Sequence, residues 1–121
     1  MTGVLILAHG SRNGETEATL EKITEYVREE LQMEHVEPAY MEFREVNLEK
    51  GMLRLMENGV TDIRIVPYFL FVGIHIKEDI PAEIAAFKAK HPQVNVEFGK
   101  TLGADRRLAM VLADRVRETL Q

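Results

Sequence analysis

Two histidines and one glutamate stand where they could bind a metal ion together. His9 follows an apolar run at residues 4–8, Glu42 lies at the end of a second predicted strand, and His75 follows a third. Imidazole and carboxylate groups suit divalent first-row metals, and imidazole also accepts a proton near neutral pH. The three residues come from separate segments, so no short spacing rule joins them. The ligand types do not identify the metal.

Strand and helix patterns alternate along the chain and predict how these residues are positioned. The predicted strands are residues 4–8, 36–43, 62–66 and 94–98. Predicted helices follow at 15–31, from Asn47 to about 58, around Pro81 up to His91, and after Asp105. A (βα)4 order predicts an α/β fold with a four-stranded parallel sheet flanked by helices on both faces. Pro38 favours an edge position for the second strand.

The strand order sorts the polar residues by position. Ligands of open parallel sheets bind at the carboxyl ends of the strands, which all lie along one rim. We therefore expect one rim to carry residues 9–12, 42–44, 68–79 and 100–101. His35 is expected at the opposite rim and His91 at a helix C-terminus, both as surface residues.

Composition limits the possible functions. The chain has 121 residues, is 45% hydrophobic, carries a net charge of -5 and contains no cysteine. These values predict a single domain spanning residues 1–121 and argue against nucleic acid as a partner. The sequence shows neither a signal-peptide pattern nor an apolar run long enough for a membrane helix, so we expect a cytoplasmic protein that does not bind membranes.

Rival catalytic motifs are absent. The sequence has no GxSxG, GxGxxG or Walker pattern, so hydrolase and nucleotide-binding functions have no positive signal. The pair His9-Gly10 is similar to that of histidine phosphatases, but Ala8 stands where those enzymes have arginine. We expect Ser11 to serve the hydrogen bonding of its loop rather than act as a nucleophile.

Four segments together resemble a known family. LILAHGSR at 5–12, AYMEF at 39–43, VPYFLFVGIHIKEDIP at 66–81 and TLGADRRL at 101–108 resemble the small, single-domain sirohydrochlorin chelatases of the CbiX type, within the class II chelatases. The resemblance implies insertion of a divalent metal into sirohydrochlorin, a lyase reaction of cobalamin or sirohaem biosynthesis. Co²⁺ is the metal we expect, with Fe²⁺ or Ni²⁺ as alternatives, and no organic cofactor is implied. The chain matches one half of a two-domain chelatase, which implies a homodimer.

The resemblance also assigns residues. It implies that His9 and His75 are metal-binding and catalytic and that Glu42 is an acidic active-site residue. On the same rim, Arg12 and Lys77 could bind the carboxylates of the substrate, together with Lys100 and Arg106. The run after the third strand could contact the macrocycle or a partner subunit; its residues are Tyr68, Phe69, Leu70, Phe71 and Val72. The alternative is a non-enzymatic metal-binding or delivery protein that uses the same side chains.

Overall fold

Strands and helices alternate in the computed structural model, which describes residues 1–71 and 73–121, with the side chains of all of these except His75 and Ile76. The strands are β1 (Thr2–Ala8), β2 (Val36–Tyr40), β3 (Asp62–Pro67) and β4 (Asn95–Phe98). The helices are α1 (Glu15–Leu31), α2 (Leu48–Glu57), α3 (Ile80–Lys90) and α4 (Arg106–Thr119). A π-helical turn, His75–Asp79, leads into α3. No helix in these described ranges is long and apolar enough to cross a membrane.

The four strands form one parallel sheet in the order β2-β1-β3-β4. The predicted α/β fold is therefore confirmed, and β2 lies at an edge as Pro38 indicated. β1 lies between β2 and β3, with Leu5 opposite Glu37 on one side and Ile65 on the other. Because the strands are parallel, all their carboxyl ends lie along one rim, which carries the loop after β1 next to the loop after β2.

Alternating side chains of β1 build two apolar layers. Leu5 and Leu7 face α2 and α3, where they join the larger core cluster. Val4 and Ile6 point to the other face and pack with Leu20 of α1. Since β1 is buried on both faces, its continuous apolar sequence is what a central parallel strand requires. This burial fixes the point at which the chain leaves the sheet, just before His9.

Helix α4 departs from the expected packing. Its apolar side chains share one face, as the spacing predicts, but no residue of Arg106–Thr119 is buried. The sheet surface on the α1 side of β3 and β4 is charged, with Arg64 Nη1 3.0 Å from Glu97 Oε2 and Nη2 2.8 Å from Asp62 Oδ2. A charged sheet face offers α4 little apolar area to cover.

Two loop boundaries differ from the sequence prediction. β2 ends at Tyr40 rather than at residue 43, because the chain bends from Met41 onward. Phe43 then adopts a left-handed conformation (φ 65°) that an extended strand cannot contain. In the predicted rim segment 68–79, His75 already begins a π-helical turn. Both changes lie on the rim, so they alter how the candidate residues are presented.

Asn47 holds the N-terminus of α2, as expected for an N-cap residue. Its side-chain oxygen accepts a hydrogen bond from the Lys50 amide at 2.9 Å. Replacing Asn47 with alanine should lower the free energy of unfolding by about 1 kcal/mol, because an amide at the helix start loses its partner. Urea denaturation measures the change. Asn47→Ser, which can still cap, is the control; equal stability of the two variants would contradict the capping role.

Candidate functional site

His9 stands at the rim directly after β1, with its side chain exposed. Its ring lies 4.4 Å from the ring of Phe69, measured between centroids, at a tilt of 41°. Phe69 follows β3 and packs partly against the larger core cluster. A core-supported aromatic ring therefore restrains the imidazole, whose remaining surface stays open to a ligand.

The backbone of Glu42 is bonded to that of His9. The Glu42 amide donates to the His9 carbonyl at 3.0 Å, one residue beyond the bond from the Met41 amide to the Ala8 carbonyl at 2.8 Å. Gly10 has φ 93°, and a Cβ atom there would clash with the carbonyl oxygen of Glu42. The two loops therefore meet at their backbones, and the exposed Glu42 carboxylate belongs to the same part of the rim as His9.

The third residue expected at the site is placed only by its backbone. His75 begins the π-helical turn after β3, on the same rim, and its side chain lies outside the described residues. Val72, predicted to bind substrate, lies outside them entirely. Among the side chains that the structure does describe, no three His, Asp or Glu residues are grouped to hold a metal ion. The convergence of His9, Glu42 and His75 thus stays a prediction.

Ser11 serves its own loop, as the sequence analysis expected. Its amide donates to Glu17 Oε1 at 3.2 Å, and its hydroxyl donates to Glu17 Oε2 at 3.3 Å. The Thr16 amide in turn donates to the Ser11 hydroxyl oxygen at 3.2 Å. These bonds fix the turn between β1 and α1 and engage the hydroxyl fully in loop structure.

Arg44 joins this turn from the neighbouring loop. Its Nε lies 2.6 Å from Glu17 Oε1, in an ion pair whose N–H is not aligned as a hydrogen bond. Burial raises the pKa of Glu17, but Arg44 and the backbone amides at Glu17 and Ser11 lower it by more, so the net pKa lies below its ordinary value. The sequence pattern predicts no role for Glu17 or Arg44, because residues far apart in the chain carry no spacing signal.

Phe43 is a third residue of the rim for which the sequence pattern predicts no role. The guanidinium of Arg12 lies 4.8 Å from the centre of its half-exposed ring. A cation over an aromatic face is stabilised by about 0.5–1 kcal/mol at exposed sites. The contact joins Arg12, in the loop after β1, to the loop after β2. The left-handed backbone of Phe43 is not predicted by its residue type.

The run after β3 divides into two parts. The Tyr68 amide donates to the Leu7 carbonyl at 2.7 Å and keeps Tyr68 at the end of the sheet. Leu70 and Phe71 instead line an apolar groove of about 730 Å³ with residues of α4, including Leu112. Lys77 is exposed on the π-helical turn. Among the described residues of this run, Phe69 is the one whose ring packs against His9, and the predicted substrate-binding set stays a prediction.

The chain is similar to sirohydrochlorin chelatases over its whole length. The CbiX family model matches residues 3–119. The sirohydrochlorin cobaltochelatase of Methanopyrus kandleri is 31% identical over 99% of this chain and 98% of its own. The sirohydrochlorin ferrochelatase of Priestia megaterium is 34% identical over 98% of this chain but only 45% of its own length. The crystal structure of the sirohydrochlorin chelatase SirB from Bacillus subtilis subspecies spizizenii in complex with cobalt superposes with a TM-score of 0.88 at 26% identity, over 97% of this chain and 50% of that one.

The close approach at Gly10 can be tested by a single methyl group. Gly10→Ala should lower the free energy of unfolding by about 2 kcal/mol or more, because alanine is strained at this φ and its Cβ meets the Glu42 carbonyl. Chemical denaturation measures this. Gly73→Ala is the matched control on the same rim, since a Cβ there meets nothing within 4 Å. Equal losses in both variants would show that the two loops are not packed as described.

Proposed function

Because this chain belongs to the CbiX family, we propose that it inserts a divalent metal ion into sirohydrochlorin. The observation that carries the proposal is the backbone contact of the His9 and Glu42 loops at the carboxyl rim of the sheet. It brings an imidazole and a carboxylate, side chains of the types that such a site needs, onto neighbouring loops. We propose Co²⁺ as the metal, on the example of the relative of matching length, with Fe²⁺ and Ni²⁺ as further candidates.

The chemistry requires weak metal binding and proton acceptance at one place. Metal insertion moves the ion from protein ligands to the ring nitrogens and releases two pyrrole protons. In our proposal His9 and His75 bind the ion and accept these protons, and Glu42 assists by adding negative charge or taking a proton. Imidazole is suited to both tasks near neutral pH. The His9 ring is exposed, so an incoming ion can reach it and leave again.

Local charges would bind a polycarboxylate substrate to a chain whose net charge is -5. Arg12 is held at the rim over the Phe43 ring, and Lys77 is exposed on the turn that contains His75. We propose that both meet peripheral carboxylates. We also propose that the rings of Tyr68 and Phe69 lie against the macrocycle; the contact of Phe69 with the His9 ring supports this.

We also propose that the chain acts as a homodimer, with each copy covering the exposed apolar face of the other's α4. That face includes Val111, Leu112 and Val116, and it continues into the groove lined by Leu70 and Phe71. The half-length match to the Priestia megaterium enzyme supports the idea, since two copies would supply what that longer chain contains. It stays a prediction that residues 1–121 form a single domain and that the protein is cytoplasmic. The same holds for its independence of nucleic acid, membranes and organic cofactors.

Cobalt insertion into sirohydrochlorin tests the function directly. Absorption spectroscopy should show faster metallation by the wild-type protein than in the protein-free mixture. His9→Ala should reduce the enzymatic rate by about 100-fold or more, because a metal ligand and proton acceptor is lost. His91→Ala is the control, since His91 lies at the C-terminal end of α3, away from the rim.

The same assay identifies the alternative. Wild-type protein that binds Co²⁺ without accelerating metallation would contradict the enzymatic proposal and indicate a metal-delivery protein. An undiminished rate in His9→Ala would contradict the assigned site.

The dimer proposal predicts different effects for two similar substitutions on α4. Leu112 and Met110 are similarly exposed, at 66% and 62%. Because they are two residues apart in the sequence, they lie on opposite sides of the helix. Leu112→Glu should weaken self-association by about 30-fold or more, as expected for an interface anchor. Met110→Glu adds the same charge on the other face and should leave association nearly unchanged. Sedimentation analysis that finds a wild-type monomer, or equal effects of both variants, would contradict the interface.

A further inference from the structure

We propose that the Glu17–Arg44 ion pair positions His9 relative to Glu42, so that both of its members are positioning residues for the metal-binding rim. The inference rests on the proposed function, because it concerns the geometry of the same site. Neither residue needs to touch the metal or the macrocycle. Their effect would pass through the two loops that carry the reacting side chains.

The ion pair connects the two loops beyond their backbone contact. Glu17 is fixed in the first turn of α1 and accepts both hydrogen bonds from Ser11, two residues after His9. Arg44 lies two residues after Glu42 and contacts the same carboxylate. The Glu17 carboxylate therefore contacts both loops. In each loop the contact is made by a residue two positions after the candidate ligand, His9 or Glu42.

The His9 loop has a particular need for such an anchor. Gly10 and Gly14, which bracket Ser11, both have positive φ values, 93° and 82°. Glycine is the most permissive residue, so the loop between them has little intrinsic preference for one conformation. The Glu17 carboxylate supplies the constraint from outside the loop, and Arg44 Nη2 lies 3.3 Å from the position that a Cβ on Gly14 would take.

Burial distinguishes this ion pair from the surface ones. The side chains of Glu17 and Arg44 are 19% and 32% exposed, whereas those of Lys22 and Glu25 on the same helix are 63% and 55% exposed. Exposed ion pairs contribute little to structure because water screens them. The Lys22–Glu25 pair is therefore a matched control, with the same charge types and the same helix but no link to the rim.

A direct contact of Arg44 with substrate carboxylates is the competing explanation, and kinetics can separate the two. A substrate contact would raise KM for sirohydrochlorin when it is removed. A positioning role would weaken Co²⁺ binding and lower kcat while KM changes little. Outer groups that orient metal ligands typically change metal affinity or activity by about 10–100-fold when removed.

The experiment uses Arg44→Met, Glu17→Gln, the double variant, Arg44→Lys and the control Lys22→Met. Calorimetric titration with Co²⁺ alone should show affinity about 10-fold or more below wild type for each single disruptive variant. The double variant should bind Co²⁺ no more weakly than the single variant with the lower affinity, because both single substitutions remove the same interaction. Arg44→Lys should recover much of the affinity, and Lys22→Met should match wild type. Cobalt insertion should show the kcat loss with KM nearly unchanged.

Several results would overturn the inference. These are wild-type Co²⁺ affinity in both single variants, losses that multiply in the double variant, or a rise in KM alone. Thermal unfolding identifies variants that do not fold. In that case the comparison uses Arg44→Lys and Glu17→Gln, which keeps an acceptor oxygen for Ser11. A wild-type protein that binds Co²⁺ but does not metallate sirohydrochlorin contradicts the proposed function, while the affinity comparison still decides the positioning role. A wild-type protein that binds no Co²⁺ overturns both.

Discussion

The Glu42 amide donates to the His9 carbonyl just past the point where the ladder between β1 and β2 ends. This bond exists because β1 and β2 are neighbours and run parallel, so the loops after them leave the sheet side by side. It also requires glycine at position 10, where any Cβ would displace the Glu42 carbonyl. The side-chain contacts between these two loops depend on this meeting of their backbones.

The side chains around the bond make the two loops one unit. The Arg12 guanidinium lies over the Phe43 ring, and Arg44 reaches the carboxylate of Glu17. On the other side of β1, β3 delivers Phe69 to the His9 ring. The rim therefore has a fixed framework of backbone, aromatic and ionic contacts, while the His9 ring and the Glu42 carboxylate stay exposed to a ligand. Such an arrangement suits a protein that must bind an ion and then release it to another ligand set.

The elements were predictable because the periodicity of apolar residues is a local property of the chain. It placed β1, α1 and α2 closely and put His9, Glu42 and His75 on one rim. The predicted end of β2 at residue 43 was wrong, because the left-handed Phe43 belongs to a loop that packs against another loop. The Glu17–Arg44 pair had no signal, since it depends on two loops meeting in space. The apolar face of α4 predicted burial, but the structure leaves Val111, Leu112 and Val116 exposed, because the charged sheet surface of β3 and β4 offers them little apolar area.

The central claim is that the meeting of the His9 and Glu42 loops forms a site for the metal that is inserted. Anomalous diffraction from crystals soaked with Co²⁺ tests it most directly, because it locates cobalt without substrate or turnover. The account predicts an anomalous peak at bonding distance from a ring nitrogen of His9, on the side of the rim that carries Glu42. Cobalt bound elsewhere, with no peak at His9, would contradict it.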